Sequence, residues 1–129
     1  MSGKETRLLL VDDDEAKRYV LGVWMRRAGY TVIEAATGQG ALDLAGTVDL
    51  VLLDVNLPDI SGFDVCRQIK SDVATAAIPV IQVSATAVET ADRAHGLSQG
   101  ADAYLVKPVS LRDLRAVLQP APGDRSGQM

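Results

Sequence analysis

Reactive polar side chains follow four apolar segments of the chain, each at the point where the segment ends. Two carboxylates follow the first segment and single polar groups follow three later ones, namely Asp12 with Asp13, then Asp54, Ser84 and Lys107. If these segments are parallel strands, their carboxyl ends meet at one edge of a sheet, where open α/β sheets bind ligands. The sequence therefore predicts that three carboxylates, one hydroxyl and one ammonium group share a site.

Each of these residues also has an ordinary structural explanation. Aspartates before a helix usually cap it and complement its dipole, and we expect Asp14 and Glu15 to do this. Taken alone, Asp54 fits a turn, Ser84 fits a loop, and Lys107 fits the turn before the last helix. Their joint placement is what indicates a function, because capping alone does not put a polar group at four strand ends.

The charges of this group predict a divalent metal ion. Asp12, Asp13 and Asp54 carry three negative charges against one positive charge on Lys107. Crowded carboxylates repel one another, and a divalent cation brings the sum to zero. Few protein ligands with room for water favour Mg²⁺ over Ca²⁺. Beside such an ion Asp54 stays charged and is a candidate nucleophile for phosphoryl transfer, with Lys107 and Ser84 contacting the phosphoryl oxygens.

Alternating strands and helices must position these residues. Apolar runs predict five strands, at residues 7–11, 30–35, 48–53, 78–83 and 103–106. The first and third runs are continuously apolar, which suits strands covered on both faces of a parallel sheet. Helical spacing predicts five helices, at residues 15–28, 37–45, 62–70, 89–99 and 110–118. Such alternation with short connections predicts an α/β fold with a single doubly wound parallel sheet.

Several side chains are expected only to pack. In the first helix Val20, Val23, Trp24 and Arg27 recur at helical spacing. Tyr19 and Trp24 are expected to pack and not to contact a cofactor. Cys66 is expected in the core. His95, in a polar helix, is expected to face solvent.

Length and composition exclude several classes of protein. The chain has 129 residues, about one domain, and 47% of them are hydrophobic, which excludes disorder for most of its length. A net charge of −4 gives no basic surface for nucleic acid. One cysteine and one histidine exclude a disulfide framework and a cysteine- or histidine-rich metal site.

The two ends of the chain carry separate expectations. The first residues are too polar for a secretory signal, and no apolar run reaches the roughly 20 residues of a membrane span, so we expect a cytoplasmic protein without membrane contact. Residues 1–119 are expected to form the domain. Residues 120–129 have no apolar periodicity and are expected to be a disordered tail or a linker stub.

Together these motifs resemble the response-regulator receiver domain of two-component signalling, over about residues 7–119. The offsets between Asp54, Ser84 and Lys107 fit that family. The matching segments are LLLVDDDE at residues 8–15, LVLLDVNLPDISG at 50–62, VIQVSA at 80–85 and GADAYLVKP at 100–108.

This resemblance implies a five-stranded flavodoxin-like sheet in the order 2-1-3-4-5. It implies that Asp54 accepts a phosphoryl group from the phosphohistidine of a histidine kinase or a phosphotransfer domain. Asp12, Asp13, Asp54 and the backbone carbonyl of Asn56 would bind Mg²⁺. The expected catalysis is limited to the domain's own phosphorylation and dephosphorylation.

The resemblance also assigns a conformational switch. Ser84 is the switch hydroxyl, Tyr104 is the aromatic side chain that responds, and Lys107, before a cis Pro108, contacts the phosphoryl group. The surface formed by the fourth helix, the fifth strand and the fifth helix would meet a partner, or a second copy in a homodimer.

Each rival function requires particular residues, which can be compared with those in this chain. A phosphatase with an aspartate nucleophile needs a second aspartate two residues on, where this chain has Asn56. Gly38 and Gly40 lack the third glycine of a nucleotide-binding loop, since Asp43 stands there. A pseudo-receiver that is not phosphorylated is disfavoured by the complete set of acidic, hydroxyl and lysine residues. Two alternatives stay open: a stand-alone receiver, and a receiver within a larger regulator, a sensor kinase or a hybrid histidine kinase.

Overall fold

The computed structural model describes residues 6–84, 101–106 and 112. Strands and helices alternate along the described chain as β1 (Arg7–Val11), α1 (Glu15–Arg27), β2 (Thr31–Ala35), α2 (Gly38–Leu44), a 3-10 turn (Ala45–Thr47), β3 (Leu50–Asp54), α3 (Gly62–Ser71), β4 (Val80–Ser84) and β5 (Ala103–Val106). The two helices predicted at residues 89–99 and 110–118, and the predicted tail, lie outside the described residues, except for Arg112.

The five strands form one parallel sheet in the order β2-β1-β3-β4-β5. This confirms the predicted α/β class and the strand order that the resemblance implied. The central strand β3 pairs with β1 on one side, where Val11 lies beside Leu53. On the other side Asp54 lies beside Val83 of β4. The carboxyl ends of β1, β3 and β4 therefore lie next to one another at one edge of the sheet.

Both faces of the central strands are buried, which explains why their sequences are continuously apolar. Side chains of β1 and β3 alternate between two clusters. One cluster lies under α2 and α3 and contains Leu9, Val11, Val51 and Leu53. The other lies under α1 and contains Leu8, Leu10, Met25 and Leu52. The strands thus form a rigid, fully packed support for the residues at their ends.

The apolar spacing of α1 marks its buried face only in part. Trp24 packs against the core as expected, whereas Tyr19 is 68% exposed and the expectation that it packs is wrong. The fully buried residues of α1 are Gly22 and Met25, and Val20 is 46% exposed. Gly22 faces the sheet, where a Cβ would lie 3.8 Å from Leu10. Because a glycine carries no hydrophobic signal, the apolar spacing did not mark Gly22 as part of the buried face.

Three strands also begin later than predicted. β2, β3 and β4 begin at Thr31, Leu50 and Val80. The turn Ala45–Thr47 precedes β3, and Pro79, which lacks an N–H group, precedes β4. β3 and β4 extend to Asp54 and Ser84, so these two residues end strands instead of opening loops.

No helix within the described ranges has the length and apolar character needed to cross a membrane.

Candidate metal centre and functional site

Three carboxylates meet at the carboxyl edge of β1 and β3. Asp12 and Asp13 follow β1 directly, and Asp54 is the last residue of β3. One oxygen from each lies within 4.8 Å of the others. Asp12 is 2% exposed and Asp54 is 4% exposed, while Asp13 is open to solvent. The structure thus brings together the three acidic residues that the sequence singled out.

Backbone N–H groups fix the two buried carboxylates. The N–H of Asn56 donates to Oδ1 of Asp54 at 3.0 Å, and the N–H of Asp14 donates to Oδ1 of Asp12 at 2.9 Å. Each bond closes a short turn of the kind that aspartate favours. The side chain of Asp14 points elsewhere, because it accepts from the N–H of Lys17 and caps α1 as expected.

The electrostatics of this cluster favour a bound cation. Two unit negative charges 4.8 Å apart repel by about 3 kcal/mol at an effective dielectric constant near 20. Hard carboxylate oxygens at this spacing, two of them buried, are the ligands that hard divalent cations prefer. The three side chains therefore fit a metal ion of that class.

The structure describes the remaining predicted site residues in different detail. Ser84 ends β4, is 4% exposed and pairs in register with Val106, so its backbone reaches the same edge. Asn56 lies exposed in the loop after β3. The backbone of Tyr104 lies beside Gln82, and Lys107 follows Val106 outside the described residues.

An arginine that the sequence analysis did not single out supports the backbone at Asp12. Arg18 donates from Nη1 to the carbonyl oxygen of Asp12 at 2.7 Å and from Nε to Glu34 at 2.9 Å. Arg26 also donates to Glu34, at 3.1 Å. The hydrogen bond from Arg18, together with the weaker effect of the hydrogen bond from Arg26, holds the pKa of Glu34 below its ordinary value. These partners lie six to sixteen positions from Arg18, so local periodicity could not reveal them.

Gly62 is a second residue whose role only the structure shows. A Cβ at this position would lie 2.4 Å from the carbonyl oxygen of Asp54 and 2.4 Å from Cα of Val55. Its N–H donates to the carbonyl of Val55 at 2.9 Å. The first turn of α3 therefore packs directly on the backbone of the site, and only glycine leaves room for this approach.

Gln82 is buried beside this contact. Its side chain is 0% exposed and donates from Nε2 to the carbonyl of Gly62 at 3.4 Å. Its Oε1 has no hydrogen-bond partner among the described residues. An amide at this position of an apolar strand is thus an incompletely satisfied polar group in the core.

Cys66 lies on the buried face of α3 and belongs to the core, which confirms its predicted burial. Burial raises the pKa of its thiol to about 11. His95 lies outside the described residues.

Comparison with known proteins agrees with this geometry. A statistical profile of the response regulator receiver domain matches residues 8–119. The transcriptional regulatory protein ResD of Bacillus subtilis is 39% identical over 112 residues, which are 85% of this chain and 45% of ResD. A gliding motility regulatory protein of Myxococcus xanthus is 43% identical over 108 residues, which are 82% of this chain and 14% of that protein. The chain therefore spans less than half of either relative.

Solved structures of receiver domains also resemble this chain. A response regulator receiver domain protein from Methanospirillum hungatei superposes with a TM-score of 0.84 at 28% identity, covering 98% of this chain and 100% of that one. A second similar structure is the receiver domain of a sensor histidine kinase from Pseudomonas aeruginosa, which was solved with a magnesium ion coordinated in its active site cleft. It superposes with a TM-score of 0.83 at 30% identity, covering 93% of this chain and 99% of that one. With its strand order and its acidic edge, this chain belongs to the family of response regulator receiver domains of two-component signalling.

Proposed function

We propose that Asp54 accepts a phosphoryl group from the phosphohistidine of a histidine kinase or a phosphotransfer domain. The observation that carries the proposal is the meeting of Asp12, Asp13 and Asp54 within 4.8 Å at the carboxyl edge of the sheet. These three carboxylates, with the backbone carbonyl of Asn56, would hold Mg²⁺. When bound, that ion would supply positive charge to the phosphoryl oxygens.

The chain's own residues perform the transfer. An oxygen of the Asp54 carboxylate attacks phosphorus, the P–N bond of the phosphohistidine breaks, and the imidazole leaves, so that an acyl phosphate forms on Asp54. The N–H of Asn56, which holds Oδ1 of Asp54, sets the orientation of that carboxylate. Lys107 and Ser84 contact the phosphoryl oxygens. Catalysis is limited to the domain's own phosphorylation and dephosphorylation.

Phosphorylation then changes a surface. It replaces a carboxylate of charge −1 by a group of about −2 with strong acceptor oxygens at the end of β3. Ser84 donates a hydrogen bond to this group, and Tyr104 turns into the space that Ser84 leaves. The surface of the fourth helix, β5 and the fifth helix then binds a partner or a second copy.

We propose the exposed face of α1 as the surface on which the phosphodonor protein docks. Tyr19 and Val20 are large apolar side chains left open to solvent one turn or more beyond Asp13, on the helix that leads away from the site. We expect Tyr19→Ala to lower the rate of labelling by a phosphorylated histidine kinase and to leave the rate with acetyl phosphate unchanged. Equal loss with both donors would contradict a docking role.

The proposal covers residues 1–119 as the receiver, with residues 120–129 as a tail or linker. The relatives named as transcriptional regulators support a place within a regulator. The likeness to the receiver of a sensor histidine kinase supports the alternative place, within a kinase. Contact with DNA would belong to another domain, since this one has a net charge of −4. The cytoplasmic location stays a prediction.

Intact-mass measurement tests the phosphoacceptor. The protein is incubated with acetyl phosphate and Mg²⁺, and we expect one phosphoryl group on the wild type and none on Asp54→Asn. Asp49→Asn is the matched control, because Asp49 precedes β3 at the opposite edge of the sheet. Labelling of Asp54→Asn at the wild-type level, or undiminished labelling in EDTA, would contradict the proposal.

A further inference from the structure

The loop between β3 and α3, residues 55–61, is tied to a distant part of the chain by Asp59. One oxygen of its carboxylate, Oδ1, accepts from the N–H of Gly38 at 2.7 Å, and the other, Oδ2, accepts from the N–H of Gln39 at 2.9 Å. Gly38 and Gln39 are the first two residues of α2. A carboxylate from one loop thus receives two backbone donors from another element.

These two bonds complete the N-terminal end of α2. The first four N–H groups of a helix have no partner within it. Thr37 is the N-cap, so its carbonyl accepts the first intrahelical bond, from Ala41, and its side chain accepts from the free N–H of Gly40. Asp59 supplies the acceptors for the free N–H groups of Gly38 and Gln39. The bonds from Gln39 and then Gly38 hold the pKa of Asp59 below its ordinary value, so the carboxylate is charged at neutral pH.

Close packing fixes the same contact. A Cβ on Gly38 would lie 3.0 Å from Cβ of Ile60 and 3.0 Å from Cγ2 of Val65. Ile60 and Leu57 of the loop pack against the core cluster under α2 and α3. The loop is therefore held by apolar contacts on one side and by the two directional bonds of Asp59 on the other.

We propose that Asp59 is a positioning residue for the metal site, because it fixes the backbone of Asn56, whose carbonyl the proposed function assigns to Mg²⁺. Only Leu57 and Pro58 separate the two residues. The ring of Pro58 locks its φ angle, and the residue before a proline has a restricted backbone. A displacement of Asp59 therefore also displaces the backbone of Asn56. The other end of the segment is held by the hydrogen bond from the N–H of Asn56 to the carboxylate of Asp54.

Calorimetric titration with Mg²⁺ tests this role without any phosphodonor. We expect Asp59→Ala to weaken Mg²⁺ binding by about tenfold, the scale of losses when groups that orient metal ligands are removed. Asp59→Asn keeps one acceptor oxygen for Gly38 and should bind with intermediate affinity. If only the charge of Asp59 mattered, the alanine and asparagine variants would be equal, which would overturn the proposal.

Asp49→Ala is the matched control. Asp49 is also exposed and also accepts a backbone N–H, from Arg7 at 2.7 Å, but it lies at the opposite edge of the sheet. Its removal should affect the free energy of unfolding without changing Mg²⁺ affinity. Urea unfolding of every variant gives the folded fraction, so loss of affinity in a folded Asp59→Ala is a site effect.

Amide NMR shifts in metal-free buffer provide a second measurement. We expect the Asn56 amide to shift in Asp59→Ala and to stay in place in Asp49→Ala. Wild-type Mg²⁺ affinity in Asp59→Ala, or an unmoved Asn56 amide, would overturn the positioning role while leaving the phosphoacceptor role intact. If the proposed function itself failed, the wild type would neither bind Mg²⁺ nor be labelled, and the proposal for Asp59 would fail with it.

Discussion

Replacing Gly62 by alanine tests how closely α3 packs on the backbone of Asp54. The new Cβ would lie 2.4 Å from a carbonyl oxygen and a Cα, both backbone atoms that cannot rotate away as a flexible side chain can. Ordinary contact requires about 1 Å more, so the start of α3 or the end of β3 must move. Overpacking of this kind destabilises a protein by about 1–3 kcal/mol.

Two smaller effects accompany this displacement. It weakens the Gly62 N–H bond to Val55, a loss of about 1 kcal/mol. Alanine favours a helix over glycine by at most about 1 kcal/mol, which offsets that loss. We therefore expect the free energy of unfolding to fall by about 2 kcal/mol, with a drop in melting temperature of about 8 °C for a chain of this size.

Urea unfolding of Gly62→Ala measures this loss, with Gly46→Ala as the control. A Cβ at Gly46 meets nothing within 4 Å, and the φ of Gly46 is not positive, so alanine there should be neutral or slightly stabilising. Because the displaced carbonyl belongs to Asp54, labelling by acetyl phosphate should also slow in Gly62→Ala alone. A midpoint for Gly62→Ala equal to that of Gly46→Ala would refute the reasoning.

Three further substitutions probe charge and burial. Asp13→Asn should raise the melting temperature in metal-free buffer, because it relieves repulsion in the carboxylate cluster. The same substitution should abolish the increase in melting temperature that Mg²⁺ produces in the wild type. Differential scanning fluorimetry measures both effects. Gln82→Met should stabilise the fold by about 1 kcal/mol, because it removes a buried oxygen that has no partner among the described residues; a loss of stability in urea would contradict this. The lowered pKa of Glu34 makes its ion pairs stabilising above its unfolded pKa, near 4.5, and this stability is lost as the pH falls through the folded value. Glu34→Gln should therefore be less stable at pH 7, by no more than about 1 kcal/mol for so exposed a pair, and should match the wild type in acid.

The sequence was sufficient for the features that depend on local pattern. The aliphatic runs predicted every strand, because β1 and β3 are covered on both faces. The aspartates at the ends of those runs predicted the acidic edge, since parallel strands bring their carboxyl ends together. The strand order came from the resemblance to a family, because no residue pattern in the chain determines which strands are neighbours.

Features that depend on contacts between distant residues were missed. The bonds from Gly38 and Gln39 to Asp59 join positions 21 and 20 residues apart, and no periodicity marks them. The buried position of Gly22 in α1 was missed because glycine contributes shape and no hydrophobicity. The close approach of Gly62 likewise depends on a missing side chain, which a pattern of apolar residues cannot show.

The burial of Cys66 makes this protein convenient for attaching probes. The chain has one cysteine, and that thiol is inaccessible in the folded protein, with a pKa raised to about 11. Alkylating reagents are electrophiles that react with the thiolate nucleophile, so at neutral pH they would leave the native Cys66 unmodified. A cysteine introduced at Val73, which is 95% exposed, would then be the single reactive thiol, with no need to alter the core. Fluorophores or spin labels could be placed one position at a time to follow the protein as it is phosphorylated.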